Sequence, residues 1–238
     1  MIEHKLTHVL QPTNNSCSQT ALSMLLQHYK VNMSPQEIMD AVPVEVDEHG
    51  EPWGTITQGL ATWCIGQGFD VTMWSYDFEI LDLNWKDLSS AEIAKRLRPT
   101  LEYRVKPFYG KHDTQMYINS YLSFIEAGGE LIVQDYPSSA HLDELVEKAP
   151  VFISVNSNVL NGSGRARNTG EYTSEPDVKE GRIINHSVVL NGVTESGDYI
   201  IMDPWKQGRR EIERDRLLGA ITAAHIESDN LIFALSKK

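Results

Sequence analysis

The sequence predicts an α+β fold, and three observations carry that prediction. Helical periodicity runs through roughly the first 150 residues. Short apolar strands follow it. The turn residues between those strands suit antiparallel hairpins. The 238 residues are enough for one large core, so a single domain over 1–238 is expected, helical over about 1–150 and strand-rich over about 151–238.

The elements follow from local patterns. Ser16-Cys17-Ser18-Gln19 reads as a capping box ahead of Ala21, Leu22, Leu25, Leu26 and Tyr29, which share one helix face. Ser34-Pro35-Gln36-Glu37 opens a second helix with proline at its first position. Leu60, Ala61, Cys64 and Ile65 form a third helical stripe, closed by Gly68, and a strand is expected over Phe69 to Trp74. Further helices are expected from Ser90 to about Leu97, from Tyr117 to Ala127, and around Leu142, Leu145 and Val146. Strands are expected over Val151 to Val155, Ile184 to Val193, Tyr199 to Met202 and Leu231 to Leu235, with a helix near Glu213 to Ala223. Residues 157–182 show little periodicity and read as a long loop, of the kind that is usually functional or mobile.

Composition removes several functions. Lys and Arg number 21 against 33 Asp and Glu, a net charge of −12, whereas nucleic acid and anionic membranes recruit basic faces. No apolar run approaches the ~18 residues of a membrane span. The first residues carry no signal-peptide pattern, so a cytoplasmic location is expected. Two cysteines make no disulfide framework. His4 and His8 are four apart with no third ligand in step, which reads as a frayed terminus and not a metal site. Arg165-Ala166-Arg167 and Arg209-Arg210 could contact an acidic group, but solvated basic pairs are the commoner explanation.

Four residues form a chemical set. Cys17 falls in the first turn of a helix, where unpaired N–H groups and the helix dipole favour a thiolate. Alone, such a cysteine is more often a small buried hydrophobe. Gln11, six residues earlier, can bring an amide donor beside the Cys17 N–H, an oxyanion-hole arrangement. His186 opens an apolar strand and suits a general base. Asp203 ends the next strand and suits an orienter. His186 and Asp203 lie 17 residues apart. A turn centred near Thr194 and Glu195 sets them opposite each other. One centred on Ser196-Gly197 offsets them on the same sheet face.

With that set in hand, the sequence resembles papain-like cysteine peptidases, above all the bacteriocin-processing, double-glycine leader peptidases and their stand-alone relatives. The resemblance is carried by Gln11 with Cys17, by Ala21-Leu22-Ser23-Met24-Leu25-Leu26 with Tyr29, by His186-Ser187-Val188-Val189-Leu190-Asn191-Gly192, and by Asp203-Pro204-Trp205. Gly59-Leu60-Ala61 and Gly68-Phe69-Asp70-Val71 add a helix–strand unit. It implies Cys17 as nucleophile, His186 as general base and acid, Asp203 as orienter, a role that asparagine fills in many papain-like enzymes, and Gln11 as oxyanion donor. It also implies an aromatic shield at Trp205, a peptide or protein substrate, and no cofactor. Ser18 stands where the family usually has glycine, and these 238 residues are expected to include no transporter membrane domain. The expected activity is thiol-dependent peptide or amide hydrolysis. Acyl transfer to an amine, or peptide binding without catalysis, are the alternatives. Cys64, on an apolar helix face, is expected to be buried and inert.

Overall fold

The computed structural model describes the chain except residues 47–48, 51, 104–106, 109–111, 171–172, 206–207, 225–229 and 238; of 107–108, 112–113 and 168 only the backbone is described. The strands are β1 (Ile2–Glu3), β2 (Glu45–Val46), β3 (Pro52–Gly54), β4 (Phe69–Ser75), β5 (Pro107–Phe108), β6 (His112–Asp113), β7 (Glu130–Val133), β8 (Val151–Asn156), β9 (Ala166–Gly170), β10 (Thr173–Pro176), β11 (Asn185–Val193), β12 (Tyr199–Asp203), β13 (Gly208–Ile212) and β14 (Leu231–Lys237). The α-helices are α1 (Cys17–His28), α2 (Pro35–Ala41), α3 (Thr57–Gly66), α4 (Ser90–Leu97), α5 (Thr114–Glu126), α6 (Ser139–Lys148), α7 (Ser157–Asn161) and α8 (Arg214–Thr222).

One eight-stranded sheet organises the chain, in the order β13-β12-β11-β8-β14-β4-β7, with β1 added alongside β11. Every pairing in it is antiparallel except β4 with β7. The α+β expectation holds, with the cysteine on a helix of the first half and the histidine and aspartate on antiparallel strands of the second. The sheet is not confined to the second half, however. The last strand, β14, inserts between β8 and β4 and so welds the two halves edge to edge.

Helices cover both faces, which is why the central strands are buried at nearly every position and not at alternate ones. All six residues of β8 are buried. Phe152 joins the core built around α1, α3 and α5, whereas Val151, Ile153 and Val155 join the one formed with α6 and α8. Phe152 and Phe233 stack across β8 and β14, ring centres 4.4 Å apart. Such a pair adds about 0.5–1.5 kcal/mol beyond the area it buries.

Three sequence expectations are corrected. The stretch 157–182 is not an unstructured loop: α7 begins it, and β9 and β10 form a hairpin within it, residues 171–172 lying outside the description. Its strands are exposed, so they lack the apolar alternation that marks a strand in sequence. Strand β7, four residues long, is too short to show a period. The capping box at Ser16 does not form. The Ser16 hydroxyl stays within the preceding turn, bonded to Thr13, and Gln19 bonds Val42 and Thr55 instead. At Ser34, where the sequence predicts a helix start, a capping box with Glu37 forms.

The β11–β12 hairpin carries the detail that matters most. Near its turn, Val193 pairs with Tyr199, a register centred on Ser196, with Gly197 at φ +96°. Continued unchanged, that register would place Asp203 opposite Val189, on the opposite face from His186. A bulge between Leu190 and Gly192 shifts the pairing by one residue, to Val189↔Met202. Asp203 then falls beside Val188, two residues along from His186 and on its face. Neither turn placement expected from sequence is the one observed. The bulge restores the shared face that the odd-length turn would have destroyed.

The N-terminus, read as frayed, is a strap over this bulge. The His4 N–H donates to the Asn191 carbonyl, and the Asn191 side chain donates back to the His4 carbonyl, each at 3.0 Å. Gly192 makes the contact possible, since a Cβ there would lie 2.0 Å from the Ile2 carbonyl oxygen. Gly192→Ala should therefore peel β1 from the sheet at a cost of about 1–3 kcal/mol, as overpacking does. Denaturant titration with amide exchange of residues 2–8 checks this. Unchanged stability with normal protection of those amides would contradict it.

Candidate active site

The end of β11, the end of β12 and the first turn of α1 meet at one mouth of the sheet. Cys17 is the first residue of α1 and is partly exposed. Ser18 anchors that turn to β11 through a 2.8 Å hydrogen bond between its hydroxyl and that of Ser187. The helix start has no side-chain cap from Ser16, so its first-turn N–H groups face the site without a serine oxygen in front of them.

His186 lies 2.8 Å, through Nε2, from Oδ1 of Asp203. A carboxylate only accepts, so Nε2 carries a hydrogen there, which leaves Nδ1 as the ring nitrogen available to Cys17, whose thiol His186 perturbs in the same cavity. Asp203 is almost fully enclosed. Besides His186, its Oδ1 accepts the Trp205 backbone N–H at 2.9 Å, and its Oδ2 accepts from Arg210 at 2.8 Å. The Trp205 side chain lines the cavity beside it. Arg210 was missed: it is a largely buried ion-pair partner, whereas its neighbour Arg209 reaches the other way to Glu3 and Glu211. The available signal was its distance from Asp203, seven residues across a short turn, which a hairpin can close.

Gln11 is buried beside Cys17 in the same cavity. Its backbone N–H donates to the Pro204 carbonyl at 2.9 Å, and one N–H of its side-chain amide goes to the Thr13 carbonyl at 2.7 Å. His8, also on the strap, donates from Nε2 to the Asp203 backbone carbonyl at 2.9 Å. All four residues singled out in the sequence are thus brought together. Cys64 is not among them; it is fully buried in α3.

The charges are consistent with the geometry. Burial would push the Cys17 thiol up, but the hydrogen bond and charge of His186, the Ser187 N–H and the Ser18 hydroxyl outweigh it, and the thiol is held below its ordinary range. Burial opposes the charged form of His186 too, yet the Asp203 carboxylate and the bonds to Asp203 and Cys17 raise it to about 10. Asp203, which burial alone would raise, is held well below the usual carboxylate range by His186, Trp205 and Arg210. His186 binds its proton more tightly folded than unfolded. Its contribution to stability is therefore whole below pH 6.5 and drains away as pH rises through about 10. Asp203 behaves oppositely, contributing fully above pH 3.8 and losing that contribution as pH falls through its depressed value.

The cavity holds about 670 Å3. Its walls are Pro52, Trp53 and Gly54 on one side and the β9–β10 hairpin with Glu180 and Arg182 on the other. Asn14 and Asn15, just before Cys17, tie to both walls, donating to the Gly170 and Pro52 carbonyls. Among the described residues no group of three or more His, Cys, Asp or Glu side chains is arranged to hold a metal, and no helix is long and apolar enough to cross a membrane.

A helix-borne cysteine facing a strand-borne histidine and aspartate is the papain-like arrangement. The chain belongs to the Peptidase_C39 like family, whose model matches residues 3–222. A crystal structure titled as a C39-like peptidase from Bacillus anthracis superposes with a TM-score of 0.52 at 13% identity, covering 100% of this chain and 98% of that one. The peptidase domain of Streptococcus ComA, a bifunctional ABC transporter involved in quorum sensing, gives a TM-score of 0.46 at 13% identity, covering 98% of this chain and all of that one. No curated protein matches.

The two cysteines should separate cleanly by reactivity. The Cys64 thiol is pushed up to about 12 by burial. Iodoacetamide near pH 6.5, about two units below a free thiol's pKa, should label Cys17 and leave Cys64 intact until the chain unfolds. Peptide mapping reads the result. Equal labelling, or a Cys17 rate rising in a single step near pH 8.5, would contradict the paired thiolate.

Proposed function

We propose that the chain, as one domain, is a cysteine peptidase acting through an acyl-enzyme thioester. The observation that carries this is the His186–Asp203 hydrogen bond in a cavity that Cys17 and Gln11 also line, with the Cys17 thiol held below its ordinary range chiefly by His186 against the effect of burial. Cys17 attacks the scissile carbonyl carbon as a thiolate. The oxyanion forms beside the Cys17 N–H, at an uncapped helix start where the dipole favours negative charge, and beside the Gln11 amide. His186 gives its Nδ1 proton to the leaving amine. It then takes a proton from the water that hydrolyses the thioester, which restores the thiolate. Asp203 keeps the ring in the tautomer this exchange requires. Every proton is accounted for by these groups and water.

The walls support a peptide as substrate. The cavity is lined by residues of two hairpins, and its size lies within the usual range for ligand sites.

Cys17→Ala should abolish cleavage in a peptide-library digest read by mass spectrometry, with melting temperature nearly unchanged, because Cys17 is a partly exposed first-turn residue and not a core pillar. Gln11→Ala should lower turnover by roughly 10²–10³ with little change in the Michaelis constant, the effect of losing one oxyanion donor. No cleavage by the unaltered chain across the library, or full activity of Cys17→Ala, would contradict the proposal. Adding a primary amine separates hydrolysis from transfer: amide-capped products in place of free acids would assign acyl transfer instead.

A further inference from the structure

The feature left over from this mechanism is a buried cation. Arg210 is only 15% exposed and Asp203 only 4%, and they meet at 2.8 Å. Their placement is built into the sheet. Ile201 pairs with Arg210 and Asp203 with Gly208, so Asp203 and Arg210 are diagonal neighbours across β12 and β13. The bulge places His186 diagonally across β11 and β12 in the same way. The result is a row crossing three strands: imidazole, carboxylate, guanidinium.

Resting on the peptidase reading, we propose that Arg210 is a positioning residue that obliges position 203 to be a carboxylate and keeps the His186 proton transferable. The first part follows from counting lone pairs. Asp203 accepts from His186 and Trp205 on one oxygen and from Arg210 on the other. An asparagine has a single acceptor oxygen. Turned to His186, it presents its NH2 to the Arg210 donors; turned to Arg210, it presents NH2 to the imidazole N–H. The asparagine that serves other papain-like sites is therefore unsuited to this one. The second part is electrostatic. A lone buried carboxylate would hold the imidazolium so strongly that it gave up its proton reluctantly. A cation on the far oxygen draws off part of that field. Among the described residues, the charged or titratable groups that interact with His186 are Cys17 from α1, Asp203 from β12 and, through Asp203, Arg210 from β13. His8 contacts the Asp203 backbone carbonyl from the N-terminal strap.

The test follows the His186 ring by NMR in protein labelled with 15N-histidine, its signals assigned against His186→Gln. This readout needs no turnover. In Arg210→Met the imidazole midpoint should move up by about one pH unit, the scale of a Coulomb interaction across two hydrogen bonds at intermediate dielectric. Arg210→Lys should keep most of the original midpoint. Where the wild type cleaves peptide, Arg210→Met should lower turnover about 10- to 100-fold, as loss of a group standing behind a functional ligand does. Asp203→Asn should be nearly as impaired as Asp203→Ala, and adding Arg210→Met to Asp203→Asn should raise its activity about tenfold. An unmoved His186 midpoint in a folded Arg210→Met protein would overturn the inference, even with a lowered melting temperature. So would an Asp203→Asn variant that Arg210→Met fails to improve. A wild type that cleaves nothing would remove the peptidase reading instead, while the titration would still decide the role of Arg210.

Discussion

The structure turns on a largely buried row of His186, Asp203 and Arg210, which meets the partly exposed Cys17 at its open end. Withdrawing any one of these groups from water is unfavourable by several kcal/mol, and only a partner of opposite sign at hydrogen-bond distance offsets it. That requirement fixes the geometry around it. Three strands must run side by side with their registers set so that residues 186, 203 and 210 share a face. The hairpin turn alone gives the wrong parity, and the bulge at Asn191 corrects it. The strap from Ile2 to Gln11 then serves two ends at once: it closes over the bulge, and it reaches the Asp203-Pro204 segment through His8 and Gln11.

Much of this was legible in the sequence, and the remainder was not for identifiable reasons. The helix of Cys17 announced itself by its apolar stripe, the strands of His186 and Asp203 by unbroken apolar runs, and Gln11 by its spacing from Cys17. These signals are local, and local patterning is what a single sequence transmits well. The bulge is not local, because an extra residue in a strand of Val, Leu and Asn changes no composition. The hairpin β9–β10 was hidden by its exposure, which removes the hydrophobic period. Arg210 was hidden by its neighbour: two adjacent arginines on a strand point to opposite faces, so one is solvated with Glu3 and the other is buried with Asp203. Ser16 misled because a sequence-perfect capping pair was used elsewhere, its hydroxyl in the turn that presents Cys17.

The fold is shared with a bacterial structure of 13% identity. Fully buried strands explain how so few identical residues suffice, since apolar side chains of similar volume interchange within a core at modest cost. The parts that face a substrate are of another kind. The walls of the cavity are two exposed hairpins, each tied by one asparagine to the turn before Cys17. They are free to differ in residue type without disturbing the charged row beneath them, so differences in substrate preference are expected there.

The central claim is that Cys17 and His186 rest as an ion pair. Ultraviolet titration of thiolate absorbance in the Cys64→Ala chain reads that state directly. The account predicts thiolate at neutral pH, its appearance centred well below the free thiol's pKa of about 8.5, and a return toward that value in the His186→Gln, Cys64→Ala double variant. Thiolate that emerges only near pH 8.5 in both proteins would contradict it.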